Sequence, residues 1–193
     1  MEAADWFGAT RVVFHPGSCS GISRDKAMET SIGVFKQALY EGSSFIAKGI
    51  HLCPETMGKN NQLGNPEEVL TLCQLDKSII PTIDFGHLHV LGQGAIRFQQ
   101  DYENILDSIF KAVGTERNTA FHVHFSRIEY SAGGEKRHKT YHDIEYGPDF
   151  EPLAELLAKR HLAPTIICES QGTMAEDAVI LKGIYEQKLS LFN

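Results

Sequence analysis

Cysteine is scarce and scattered in this chain. Cys19, Cys53, Cys73 and Cys168 form no CxxC pair, which excludes a thiolate zinc site or a disulfide framework as the organising device. Cys53 and Cys168 fall inside apolar runs, where a free thiol packs as a small apolar group. A reduced, cytoplasmic chain is expected. Long apolar runs are also missing, and none approaches the ~18 residues of a membrane helix. The opening MEAADWFGAT is acidic and interrupted by Gly8, unlike the basic-then-apolar order of a signal peptide. Low-complexity tracts, sequence repeats and linkers are lacking. Basic charge is in short supply: 18 Lys and Arg against 25 Asp and Glu give a formal net charge of −7. That weighs against a broad basic surface for nucleic acid. Bound divalent metals would cancel much of this charge at a site itself.

What is present is enough apolar residue for one sizeable core. The 193 residues are 42% hydrophobic, and a single domain over 1–193 is expected. Five short apolar runs end in a histidine or a carboxylate: RVVFHPGS, IHLCPETMG, IIPTIDFGHLH, TAFHVHFSR and TIICES. Their Val, Ile and Phe content marks them as strands beginning near residues 11, 49, 79, 119 and 163. Helical patterns lie between them, over 24–41, 66–75, 101–113, 149–161 and 173–188. GKNNQLGN, GHLHVLGQGA and SAGGEKRHKTYHDIEYGPD read as long loops after strands. Strand alternating with helix means parallel βαβ units. The expected class is therefore α/β, of the (β/α) barrel type, incomplete with about five units. A closed barrel of eight takes ~250 residues. EAADWFGAT reads as the tail of a helix, so about three further units are expected upstream. An open half barrel would expose Val12, Val13 and Phe14 as an edge. Such edges invite pairing with a second copy.

The polar residues at the five strand ends are His15, Glu55, Asp84 with His87, His122 with His124, and Glu169. In parallel α/β folds the strand ends converge on one site. Alternation puts His122 and His124 on one side. Oxygen and imidazole donors together suit Zn, Mn, Fe or Co rather than Ca, and a cation removes the cost of burying these carboxylates. Each residue has a plainer reading taken alone: a cap or local pair for Glu55, a turn for Asp84, a packed loop histidine for His15, an ion pair for Glu169. Five such placements at corresponding positions favour a shared metal site. His51 reads as a core histidine, and His142 and His161 as loop and helix-surface residues.

FHPGS, PETMGKNNQLGNPEEV, IDFGHLH, HVHFSR, GGEKRH and CES keep an order and spacing that resemble the xylose-isomerase-like TIM barrel superfamily. Within it they are similar to the endonuclease IV family of apurinic/apyrimidinic endonucleases. The likeness runs from the family's fourth strand to its eighth. It implies that Glu55 bridges two metals, that His15 helps hold the first, and that Asp84, His122 and Glu169 complete the second. It further implies that His87 and His138 hold a third, and that His124 is an additional candidate ligand. The implied activity is cleavage of DNA phosphodiesters at abasic sites by a hydroxide on two or three Zn2+ ions, with Mn2+ as a substitute and Glu55 and Glu169 as catalytic residues. Three departures stand out. A histidine from an upstream strand and the upstream DNA-penetrating loops are absent. Lys136 occupies the place of an aspartate two residues before His138, so Glu135 or Asp143 would have to substitute. His124 replaces an asparagine.

Two other readings compete. A single-metal sugar isomerase or epimerase of the same superfamily needs Glu55, Asp84, His122 and Glu169 but not His15, His87 or His138. An inactive fragment would need none of them. For the DNA-cleaving reading, the expected phosphate contacts are Lys59, Asn60, Arg127, Lys136, Arg137 and Lys139.

Overall fold

Each of the five apolar runs contains a strand, and each expected helix is present. A computed structural model describes residues 1–114 and 121–192. Contacts divide them into two units, Met1–Met57 with Asn61–Thr82, and Gly58–Asn60 with Ile83–Asn193.

The first unit contains α1 (Glu2–Phe7), β1 (Arg11–Phe14), β2 (Gly17–Ser18), α2 (Arg24–Glu41), α3 (Ser43–Ile46), β3 (His51–Pro54), β4 (Gln62–Leu63) and α4 (Pro66–Cys73). β1 and β3 are parallel, with Arg11 opposite His51 and Phe14 opposite Pro54. Parallel neighbours need a long crossover, and α2 and α3 supply it. Ser23 caps α2, its hydroxyl accepting from the Lys26 N–H at 3.3 Å. Ala27, Ser31 and Phe35 form the buried stripe of α2, and Phe35 packs on Phe14 of β1 with ring centres 4.5 Å apart. Tyr40, near the end of the helix, is exposed. α4 begins with a reciprocal cap: Asn65 Oδ1 accepts from the Glu68 N–H at 2.9 Å, and Glu68 accepts from the Asn65 N–H at 3.0 Å. The Arg24 guanidinium forks the same Glu68 carboxylate at 2.5 and 2.9 Å.

The second unit contains α5 (Phe85–Leu91), α6 (Gln99–Val113), β6 (His122–Phe125), β7 (Arg127–Ser131), β8 (Gly134–Lys139), α7 (Glu151–Lys159), β9 (Thr165–Cys168) and α8 (Met174–Leu189). β5 (Thr82–Asp84) carries the boundary between the units within it. The strand order is β5–β6–β9, and β6 and β9 are parallel, with His122 opposite Thr165 and Phe125 opposite Cys168. Tyr102, Leu106, Ile109 and Val113 make the buried face of α6, and Phe85, Phe121, Val123 and Leu153 complete the core. Thr119 and Ala120, where the sequence starts this strand, lie outside the described residues; β6 is assigned from His122.

Two segments differ from expectation. GHLHVLG is not a loop but α5, which runs straight on from β5. SAGGEKRHK is not a loop either: β7 and β8 form an antiparallel hairpin turning at Ala132 and Gly133. Neither segment carries a full apolar period, because α5 has only seven residues and β8 is mostly charged.

Candidate metal centre

Asp84 ends β5 and caps α5. Its Oδ1 accepts from the His87 N–H at 2.7 Å, so one local bond fixes both side chains. Its Oδ2 lies 3.4 Å from His87 Nδ1. Residue 86 must be glycine for this, since a Cβ there would sit 2.7 Å from the Ser126 carbonyl and 2.8 Å from Ile128. α5 therefore lies directly against β6 and β7.

On β6, His122 and His124 stand on one side with ring centres 5.2 Å apart. His124 Nδ1 is 3.2 Å from Glu169 Oε1. Glu169 follows β9 directly and is held in place by its own N–H, which donates to the Phe125 carbonyl at 3.2 Å. Ser126 has the same parity as the two histidines, and its hydroxyl lies 2.7 Å from His138 Nδ1. That contact turns His138 Nε2 inward, 3.7 Å from Glu135 Oε1 and 3.9 Å from Glu169 Oε2. His87 Nε2 is 3.4 Å from Glu135 Oε2. Asp84, His87, His122 and His124 are all 7% exposed or less.

The hydrogen bond from His87 holds the Glu135 carboxyl down at about 2. Burial pushes the other way, and the charges of His87, Lys59 and His138 add to the lowering. Glu135 is thus a carboxylate at neutral pH. Ligand atoms of Asp84, His87 and Glu169 lie within 4.8 Å of one another, and so do those of His87, Glu135 and His138. Carboxylates and imidazoles gathered at this spacing are a donor set for a divalent cation of the zinc or manganese type. A cation would also relieve the crowding of three carboxylates.

In the first unit, His15 Nε2 is 3.6 Å from Glu55 Oε2, with the His15 side chain 58% exposed and Glu55 buried. The Glu55 N–H donates to the Phe14 carbonyl at 3.1 Å. His51 is structural, its Nδ1 lying 2.7 Å from the Ser78 carbonyl. In the second unit His89 is also a core histidine, with Nδ1 2.9 Å from the Ile96 carbonyl. Its burial lowers the pKa, opposed by that hydrogen bond. His142 and His161 are exposed.

The expected phosphate contacts fall into two kinds. Lys136, Arg137 and Lys139 converge on the Glu129 carboxylate at 3.2, 3.3 and 3.2 Å. The Lys136 and Arg137 side chains remain 53% and 61% exposed. Lys59 Nζ lies 3.9 Å from Glu135, and Asn60 reaches the Ala132 carbonyl at 3.5 Å. Arg127 is buried. It donates to the Tyr141 and Tyr146 carbonyls at 2.9 and 2.5 Å and meets Asp149 at 2.7 Å. It is placed as a clamp on the 140–149 loop. Two residues of the site carried little sequence signal. Ser126 was legible only through its parity with His122 and His124, and Glu135 only as one of two substitutes for a missing aspartate.

The strands, helices and strand-end ligands define an α/β protein with a donor set for metal in its second unit. The chain belongs to the xylose isomerase-like TIM barrel family, whose model it matches over residues 1–185. An uncharacterized protein of Methanocaldococcus jannaschii is 30% identical over 91% of this chain and 63% of its own length. A "Probable endonuclease 4" of Listeria monocytogenes serotype 4b is 25% identical over 99% of this chain and 62% of its own length. The chain thus spans less than two thirds of these relatives. Among solved structures, a D-tagatose 3-epimerase-like protein matches with a TM-score of 0.68 and 20% identity, over 100% of this chain and 66% of that one. The mannonate dehydratase from Streptococcus suis serotype 2 matches with a TM-score of 0.55 and 14% identity, over 98% of this chain and 70% of that one. Both show the fold. Among the described residues, no helix is long and apolar enough to cross a membrane.

Proposed function

We propose that this chain carries the ligands of a metal-dependent phosphodiesterase of the endonuclease 4 type, acting on DNA at abasic sites. The observation that carries the reading is the presence of two overlapping donor groups, Asp84–His87–Glu169 and His87–Glu135–His138. A proton shift between sugar carbons needs one metal. Hydrolysis of a phosphodiester gains from several, which activate water and neutralise both phosphate and leaving oxygen. The "Probable endonuclease 4" of Listeria monocytogenes supports the same direction.

The proposed ligands are Asp84, His87, His122, His138 and Glu169, with His124 as an additional one and zinc as the metal. His15 and Glu55 remain proposed ligands on the strength of the sequence pattern. Glu55 and Glu169 are the proposed catalytic carboxylates. Glu169 is held from both sides: His124 orients Oε1, and His138 faces Oε2. Ser126 fixes the His138 ring, as a partner behind a ligating imidazole does. Lys136 and Arg137 present exposed cations to a phosphate backbone, with the half-buried Lys139 beside them.

A second reading, a sugar epimerase, draws on the D-tagatose 3-epimerase-like structure that covers the whole chain. It uses Glu55, Asp84, His122 and Glu169 but has no role for the His87–Glu135–His138 group. A duplex with one abasic site separates the two. The zinc-loaded chain should nick it, lose activity to a chelator and regain it with zinc. Ketose epimerisation without nicking would overturn the nuclease reading.

A further inference from the structure

In a regular strand, side chains alternate, so residues i and i+2 share a face. His138 would then share its face with Lys136, and Glu135 would point the other way. β8 is not regular. Arg127 pairs with Lys139, Ile128 with His138 and Glu129 with Arg137, but Tyr130 then pairs with Glu135. Lys136 is the extra residue of a β-bulge, a device that re-aims side chains next to sites. Beyond it the parity reverses. Glu135 joins the face of His138, while Lys136 reaches across to Glu129 at 3.2 Å.

The start of β8 is pinned so that this carboxylate cannot wander. The Glu135 N–H donates to the Gly58 carbonyl at 3.2 Å, and Gly134 bridges Lys59. Gly134 has φ +103°, and a Cβ there would lie 2.4 Å from the Gly58 oxygen. Gly58 in turn leaves room for the site, since its Cβ would come within 3.1 Å of the His87 ring and 3.3 Å of Glu135. Glu135 accordingly sits 3.4 Å from His87 Nε2 and 3.7 Å from His138 Nε2. The other candidate carboxylate, Asp143, is engaged elsewhere: it accepts from the Thr140 N–H and hydroxyl, both at 2.8 Å.

We propose that the bulge at Lys136 supplies Glu135 as the carboxylate of the cation site that the resemblance assigns to His87 and His138, in place of the aspartate that this chain lacks. The inference rests on the metal-dependent reading above. It adds a ligand that the family resemblance does not provide, because that pattern places its carboxylate at the position Lys136 occupies. Two imidazoles and one carboxylate suit zinc, and three protein ligands leave a coordination position for water or a phosphate oxygen. The alternative is a metal-free ion-pair cluster in which His87, His138 and Lys59 merely neutralise Glu135.

Elemental analysis of the folded full chain, zinc-loaded and dialysed, separates the two. Glu135→Gln should lower the content by about one zinc per chain, while Asp143→Asn leaves it unchanged. Deleting Lys136 should preserve the count, because it places Glu135 two residues before His138 on a regular strand. Should Glu135→Gln fail to fold, the zinc affinity of Glu135→Asp decides, with a loss of ~10-fold or more for one ion expected and an unchanged affinity overturning the proposal. A wild-type zinc count in Glu135→Gln, with zinc still lost in Glu169→Gln, would overturn this site and leave the wider reading standing. No zinc in the wild-type chain would overturn both.

Discussion

Glu135 Oε1 lies 3.7 Å from His138 Nε2, although the two are three positions apart along a strand whose pleat would turn them apart. One inserted residue, Lys136, restores a carboxylate to the histidine pair and sends a cation to the opposite face. β8 thereby presents Glu135 and His138 on one face and a cluster of cations around Glu129 on the other.

Asp84 has two roles that substitutions can split. It caps α5 through Oδ1 and offers Oδ2 to the donor set. Asparagine caps a helix nearly as well as aspartate but is a poor ligand. Asp84→Asn should keep stability within a few tenths of a kcal/mol, and Asp84→Ala should cost about 1 kcal/mol. Both should lose metal. Urea melts of the metal-free chain and metal analysis read the two roles separately. Full metal content in Asp84→Asn would remove this residue from the ligand set.

The first unit contains an acid-sensitive lock. Burial pushes the Glu68 carboxyl up, but the Arg24 guanidinium and the N–H groups of Gly64 and Asn65 outweigh it and lower the pKa. A lowered carboxyl stabilises the fold above its unfolded value of ~4.3. That contribution is lost as pH falls through the lower folded value. Glu68→Gln should therefore cost about 1–2 kcal/mol at pH 7 and flatten the loss of stability on acidification. Melts across the acid range that show the same pH slope in both proteins would refute the lock.

The cations divide by burial, and so should their effects. Lys136→Ala and Arg137→Ala should each reduce the salt slope of DNA binding by about 1. They should leave the melting midpoint nearly unchanged, because exposed ion pairs contribute little. Arg127→Lys should do the reverse, loosening the 140–149 loop while sparing the slope. Binding titrations at several salt concentrations test this, and slopes unchanged in Lys136→Ala and Arg137→Ala would remove both residues from the phosphate surface.

The scaffold was legible wherever burial imposes a period. α2 spans Arg24–Glu41, the range its stripe marks, and α6 buries Tyr102, Leu106 and Ile109 as its spacing requires. Asp84 at the end of β5 and Glu169 directly after β9 were legible for the same reason, whereas His122 opens β6 and His124 lies within it, not at its end. α5 was not, because Gly86 and its polar neighbours serve packing and ligation rather than amphipathic spacing. The bulge was invisible in principle: GGEKRHK reads as a charged loop, and a register slip depends on the partner strand. Arg127 could be read as a surface cation only until its neighbours Tyr141, Tyr146 and Asp149 were placed.

The most direct test is metal content per folded chain after exhaustive dialysis, measured on the wild type and on Glu169→Gln. The account predicts two or more divalent ions in the wild type, zinc foremost. It predicts at least one fewer in Glu169→Gln, with unchanged circular dichroism and a loss of abasic-site cleavage of roughly 100-fold or more, beyond what an outer-shell partner usually costs. A folded wild-type chain that holds no metal, or a Glu169→Gln variant with full metal and full activity, would contradict it.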